Sequence, residues 1–362
     1  MLETIREYAL EQLEADEDAE FVRRRHAEHF LKLAEAEPDS GQAAWLARMD
    51  AERNNFRSAL NWSLDLGEAS LALRLAAALW EFWWVRGYLA EGRGWLDAAL
   101  ARGRSAAPEL RARALHAAGS LATRQGDYES AAALFEESLA LWEELGDAAG
   151  TARSLLSMGT VAAERGDQER AIELSERAAE LYGESDDKRG HALAISNLGG
   201  IALERGEYAK AAALSEQAYG LFQTLEDSEV MAFALVNQGF AALSEHQHDR
   251  AVELLREALR RLAELEFKDV IGYCFEGLAA VLALTGREDE ASKLLGAAEA
   301  LRESLGVGLA PAEQETHDQT VAAVRAALGE KRFSAAWRQG RELALDEAIA
   351  YALEEQGARA SR

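Results

Sequence analysis

Asn197 and Asn237 stand forty residues apart, each inside a run of small and apolar residues, "HALAISNLGG" and "MAFALVNQGF". A carboxamide offers a donor and an acceptor together, so a row of them could hold another chain; an Asn bonded to its own neighbour or to water fits the same letters. Arg113, His116 and Arg153 fall at related places and could grip an acidic group. The other reactive side chains point to less. His26 and His29 share a helical face, but Glu28 is misplaced for a zinc protease and no third ligand presents itself, so a solvated or helix-packing pair is expected. His246 and His248 occupy a turn where related segments mostly carry Gly, which suits an irregular turn or a pH sensor. Cys274 replaces an apolar residue and is expected to be buried and inert.

No HExxH, GxSxG, CxxC or GxxxxGK[ST] motif occurs, and no GxGxxG follows a strand. The reading is non-enzymatic, with no metal and no cofactor. The net charge of -25 argues against direct contact with nucleic acid, which needs a basic stripe. Arg23, Arg24 and Arg25 lie between Glu20 and Glu28 and read as a solvated face. A single cysteine permits no internal disulfide, and neither a signal peptide nor a membrane-spanning run is visible, so a cytoplasmic chain is expected.

These residues need elements to position them, and the sequence specifies the elements by repetition. With three prolines and an abundance of Ala, Leu, Glu and Arg, the chain favours helix nearly throughout. The phrases "RQGDYESAAALFEESLALW", "ERGDQERAIELSERAAELY", "ERGEYAKAAALSEQAYGLF", "EHQHDRAVELLREALRRL" and "LTGREDEASKLLGAAEALR" recur in register. Their turn residues, Gly126, Gly166, Gly206, His246 and Gly286, advance by 40. One column is Ala131, Ala171, Ala211, Ala251 and Ala291; another is Leu134, Leu174, Leu214, Leu254 and Leu294. A third is uniformly small, from Ser138 through Ala178, Ala218 and Ala258 to Ala298. Residues 131, 134, 138, 141 and 145 form one helical stripe, with a second at Leu115, Ala118, Gly119 and Ala122. Each unit is therefore a helix-turn-helix. Gly119 and Ala131 allow close approach, Leu134 and its equivalents are expected to fill the seam, and the Gly turn supplies the left-handed conformation. One pair cannot cover its own apolar faces, so pairs must stack.

The Gly and Ala twelve apart, at 119 and 131, 159 and 171, 199 and 211, and 239 and 251, resemble the tetratricopeptide signature. Units of forty residues resemble its long-helix variety, and Ala279 breaks the pattern in the fifth unit. The resemblance implies an all-α, right-handed superhelical solenoid of antiparallel helix pairs whose first helices line the concave face. In peptide-binding members of that superfamily, Asn at the position of Asn197 and Asn237 holds the main chain of an extended ligand. The equivalents here are Ala117, Ser157 and Gly277, so the ladder has two rungs.

Pro38, Pro108 and Pro311 mark segment boundaries. "RGYLAEGRGWLDAAL" aligns on the repeat with Gly87 at the turn, Gly92 in the Ala slot and Trp95 in the Leu slot, and Trp80, Trp83, Trp84 and Tyr88 form an aromatic stripe read as core or as an exposed docking patch. The expected organisation is N-terminal helices over 1–38, degenerate repeats over 39–107, five repeats over 108–306 and capping helices over 307–362. "LETIREYALEQL", with Thr4 and Glu7 spaced as a capping box, and the closing "FSAAWRQGRELALDEAIAYALEE" resemble the repeat region of bacterial STAND-class signal-transduction ATPases. That resemblance implies an upstream nucleotide-binding domain and winged helix, with residues 2–13 as the tail of the latter and Met1 an internal start or truncation. The function it implies is a scaffold binding a protein or peptide, the sensor or regulatory part of a STAND-type regulator. The rival is a sensor enclosing a small metabolite within the superhelix.

Overall fold

The computed structural model describes residues 12, 18–36, 42–225, 228–265, 267–309 and 311–354. Seventeen helices and no strand are found among them, and none of these helices is long and apolar enough to cross a membrane. The capping box at Thr4 and Glu7 and the boundary at Pro38 lie outside the described residues. The chain divides into two compact units, 1–121 and 122–362.

In the first unit, α1 (Ala19–Ala34) packs on α2 (Gln42–Asp65) and α3 (Ala69–Arg86), and α3 pairs with α4 (Leu89–Arg102). Gly87, with φ 75°, turns α3 into α4. Gly92 is buried, and its lack of a side chain leaves room for Trp83, which a Cβ there would strike at 2.7 Å. Of the aromatic stripe, Trp83 is core, whereas Trp80, Trp84 and Tyr88 are half-buried. Arg57 and Arg53 both clamp Glu91, with Arg57 Nε 2.6 Å from its Oε1. Burial pushes the Glu91 carboxyl up, but these two guanidinium hydrogen bonds outweigh it and hold the carboxyl at about 2. The His26 ring lies tilted against Phe30, 4.6 Å between centroids, and burial lowers its pKa; His29 is exposed. No group of three metal-ligating side chains forms among the described residues. Pro108 opens α5 (Pro108–Arg124) as its first residue, where the missing N–H costs nothing.

The second unit stacks α6 (Tyr128–Leu145), α7 (Ala148–Glu164), α8 (Gln168–Glu184), α9 (Lys188–Glu204), α10 (Tyr208–Thr224), α11 (Ser228–Ser244), α12 (His248–Glu264), α13 (Lys268–Leu284) and α14 (Glu288–Leu305). The pairs are α7 with α8, α9 with α10, α11 with α12, and α13 with α14. Every predicted turn residue is left-handed: Gly126, Gly166, Gly206 and Gly286 lie at φ 71° to 79°, and His246 at φ 60°. Asp127, Asp147, Asp167 and Asp187 cap α6 to α9 by accepting from the backbone N–H three residues on.

The Ala column and the small column are fully buried in all five repeats, as read from the sequence. The Leu column is not the seam. Leu174 and Leu294 are buried, but Leu134, Leu214 and Leu254 are only half-buried. The seam runs one residue later, through Phe135, Ser175, Ser215, Leu255 and Leu295. The glycines of the first helices explain this. A Cβ at Gly159 would meet Ser175 Oγ at 2.7 Å, one at Gly199 would meet Ser215 Oγ at 3.0 Å, and one at Gly239 would meet Leu255 Cγ at 2.7 Å. The stripe therefore steps through 131, 135, 138 and 142, and the aromatic Trp142, Tyr182 and Phe222 close its far end. Gly150 and Gly190 yield their side-chain space to Trp142 and Tyr182. Cys274 is fully buried on α13, and burial pushes its thiol up, far from the thiolate.

Successive first helices touch one another, α7 with α9, α9 with α11, and α11 with α13. The second helices α8, α10, α12 and α14 do not approach each other to that extent. A stack built this way bends toward its first helices, which form the inner face of this unit.

Beyond Gly306, α15 (Pro311–Leu328), α16 (Glu330–Arg341) and α17 (Leu345–Leu353) follow. Here the second-helix side closes instead. A Cβ at Gly296 of α14 would land on the Trp337 carbonyl of α16, and one at Gly340 would land on the Lys293 carbonyl. Ser292 Oγ also donates to Phe333 O at 3.0 Å. On the other side, Glu276 of α13 accepts from Arg302 at 2.5 Å and pairs with His317 Nδ1 of α15 at 2.9 Å.

Candidate functional site: the inner face of the second unit

Arg153, Asn197 and Asn237 lie on three consecutive first helices, α7, α9 and α11. Arg113 and His116 lie on α5 in the first unit, Arg113 exposed and paired with Glu109 at 2.8 Å, His116 half-buried. Arg153 is exposed and bonds the hydroxyl of Tyr182. Burial pushes that phenol up to about 12, and the arginine opposes the shift. Along the column of Arg153 the chemistry changes at each step to Leu193, Phe233 and Tyr273, all half-buried. Leu193 and Phe233 pack one flank on the core, and Phe233 meets Phe267 edge-on at 6.0 Å between centroids.

Both asparagines reach back to the preceding first helix. Asn197 Nδ2 donates to Thr160 Oγ1 at 3.0 Å, and Thr160 in turn donates to Leu156 O at 3.2 Å. Asn237 Nδ2 points to Ser196 O at 3.5 Å. The cause is a column that sequence reasoning passed over: Thr160, Gly200 and Phe240, forty apart. Thr160 presents a hydroxyl to Asn197, Gly200 presents nothing to Asn237, and the Phe240 ring approaches the position where a Cβ on Gly277 would stand, 3.1 Å away. The signal was visible as a column of the repeat, but only the fold shows that it faces the next asparagine.

At the edge of this face, Tyr128 donates to Glu164 at 3.1 Å. Burial raises the Glu164 carboxyl despite that bond. Glu204, one repeat on, is pushed up to about 7, first by loss of water and then by the charge of Glu164, with a hydrogen bond from Gln168 opposing.

Residues 110–184 match the tetratricopeptide repeat family model. Proteins of Mycobacterium tuberculosis and Mycobacterium bovis, named as candidate HTH-type transcriptional regulators, are 33% identical over 160 residues. That match covers 41% of this chain and 18% of theirs, so the chain spans under a fifth of the relatives it matches. Among solved structures, a Rap protein complexed with competence and sporulation factor aligns over 91% of this chain and 95% of its own, at 15% identity and a TM-score of 0.55. The apo form of RapI aligns over 70% of this chain at a TM-score of 0.49 and 15% identity. Residues 110–184 thus match the tetratricopeptide repeat within a chain folded as an all-α solenoid.

Proposed function

We propose that the inner face of α7, α9, α11 and α13 docks an extended protein or peptide segment, without catalysis. The observation that carries this is the ladder from the exposed Arg153 through the half-buried Leu193, Phe233 and Tyr273 on successive first helices, each of which keeps part of its surface open. Its chemistry favours an acidic residue near Arg153 and apolar side chains over Phe233. The Rap protein held a second molecule in its crystal, so a solenoid of this fold is suited to such a role. In our reading the chain is the regulatory repeat region of a larger STAND-type regulator, with ATPase and winged-helix domains upstream. The stretch shared with the mycobacterial HTH-type proteins supports that context.

Panning the full chain against random linear peptides tests the docking surface. Selected peptides should carry an acidic residue, and Arg153→Glu, an exposed change, should weaken them by about tenfold while leaving the melting curve in place. Peptides that lack acidic residues and bind Arg153→Glu as well as the parent would sink the proposal.

A further inference from the structure

The outward flank of the second helices carries a reversal of charge. Glu136 of α6, Glu176 of α8 and Glu216 of α10 hold one repeat position and are exposed, but that column continues as Arg256 of α12 and Gly296 of α14. The reversal falls where α17 lands. α17 packs on α12 and α14 more than on α16, which precedes it in the chain. It buries Ala348 and Ala352, whose small side chains let it lie close. Arg256 Nε donates to Ala352 O at 3.1 Å and its Nη2 to Glu354 O at 2.7 Å, so a guanidinium caps the carbonyl end of α17. The helix dipole favours a cation there and would repel the Glu of the earlier repeats. From α14, Lys293 Nζ stands 4.2 Å from the centre of the Tyr351 ring, in a column that reads Ala133, Glu173, Ala213 and Glu253 before it.

The grip is specific but light. Leu345, Ile349 and Leu353 are only half-buried, and a groove of about 650 Å³ stays open beside Lys293, Gln339, Leu343 and Tyr351. Nine residues are too few to stay helical without a support, so α17 is either fastened or unfolded. What it joins gives this a consequence. α12 and α14 are second helices, which do not approach each other as the first helices do, and their spacing sets the bend of the stack. Their partners α11 and α13 carry Phe233 and Tyr273 on the inner face.

We infer that α17 is a detachable strap across the outer side of the last repeats, and that while fastened it holds α11 and α13 at the spacing used for docking. A strapped pair has less freedom to lose when a segment binds, so release of α17 weakens docking from the opposite side of the stack. The inference rests on the docking surface proposed above and adds its control.

The test is amide hydrogen exchange on the full chain, alone and with a peptide selected from the random linear library. Arg256→Glu, which restores the residue of the earlier repeats, should speed exchange at residues 349–353 by at least about tenfold. It should also speed exchange in α13 by a smaller factor and weaken the peptide about threefold. Arg256→Lys keeps the charge without the two-donor fork and should fall between. Ala348→Glu, which breaks the contact from the α17 side, should reproduce both effects. By linkage, saturating peptide should slow exchange in α17, on the far side of the stack. Unchanged α17 exchange in both Arg256→Glu and Ala348→Glu would overturn the strap. Faster α17 exchange with α13 exchange and affinity left at the parent values would overturn its control of the inner face. A library without a binder removes the docking surface alone: faster α13 exchange then still supports the strap, and unchanged α13 exchange overturns it.

Discussion

The repeats from α7 to α13 and the C-terminal end from α14 to α17 are built from the same kind of helix, yet they close on opposite sides. In the repeats the first helices meet, and the glycines that permit close approach, Gly159, Gly199 and Gly239, sit on first helices against side chains of the second. At the C-terminal end the permissive glycines, Gly296 and Gly340, sit on α14 and α16, and each faces a backbone carbonyl. A glycine facing a side chain can be accommodated by a rotamer change. One facing a carbonyl sets the distance between two helix axes and leaves no such freedom. The repeats consequently keep an accessible inner face, whereas α14 and α16 are interlocked.

The sharpest way to break this comparison is to add one methyl group in each region. Gly340→Ala must drive α16 off the Lys293 carbonyl and should cost about 3 kcal/mol, at the upper end for overpacking. Gly200→Ala meets nothing closer than 3.8 Å and should gain about 0.5–1 kcal/mol from helix propensity. Urea titration of both variants reads the difference, and equal effects would show that the two regions do not differ as described.

Within the repeats, Leu255→Ala should cost about 2–5 kcal/mol because that side chain is fully buried against Gly239 and Gly277. Leu254→Ala, in the half-buried neighbouring column, should cost well under half as much in the same titration. A reversed order would return the seam to the Leu column.

A smaller effect is expected at the turns. α15 and α16 are joined through Gly329 at φ 71°, whereas α11 and α12 are joined through His246 at φ 60°, a region that disfavours a side chain. His246→Gly should therefore raise stability by about 1 kcal/mol in thermal unfolding, and a loss would show that the imidazole does more than turn the chain.

The smallest effect concerns pH. Glu204, raised to about 7, holds its proton more tightly folded than unfolded. Its contribution is present below the ordinary carboxylate range and is lost as pH rises through 7. Over a third of its surface remains open, so the slope will be shallow. Glu204→Gln should flatten the fall in melting temperature between pH 5 and pH 8, and an unchanged slope would assign that fall to other groups.

Much of this was legible in the letters. The helices, the four left-handed glycine turns, the position of a fifth turn at His246, and the buried Ala and small columns follow from local preference and from a forty-residue register. The candidate site was legible only in part. Arg153 and the separate column of Asn197 and Asn237 were found on first helices, but Thr160 and Gly200, which make the two asparagines unlike, carried no signal as isolated residues. Likewise the Leu column looked like a seam because a uniform hydrophobic letter suggests burial, while its neighbour varies from Phe to Ser to Leu.

By itself the sequence determined what depends on nearest neighbours along the chain: helical propensity, turn conformation and repeat length. Only tertiary structure decided which of two adjacent columns meets the next helix, which asparagine finds a hydroxyl, and which side of the stack closes. Those outcomes depend on helix rotation and interaxial distance. A rotation of about 100° separates adjacent residues on a helix, so two columns one letter apart can face the core or the solvent.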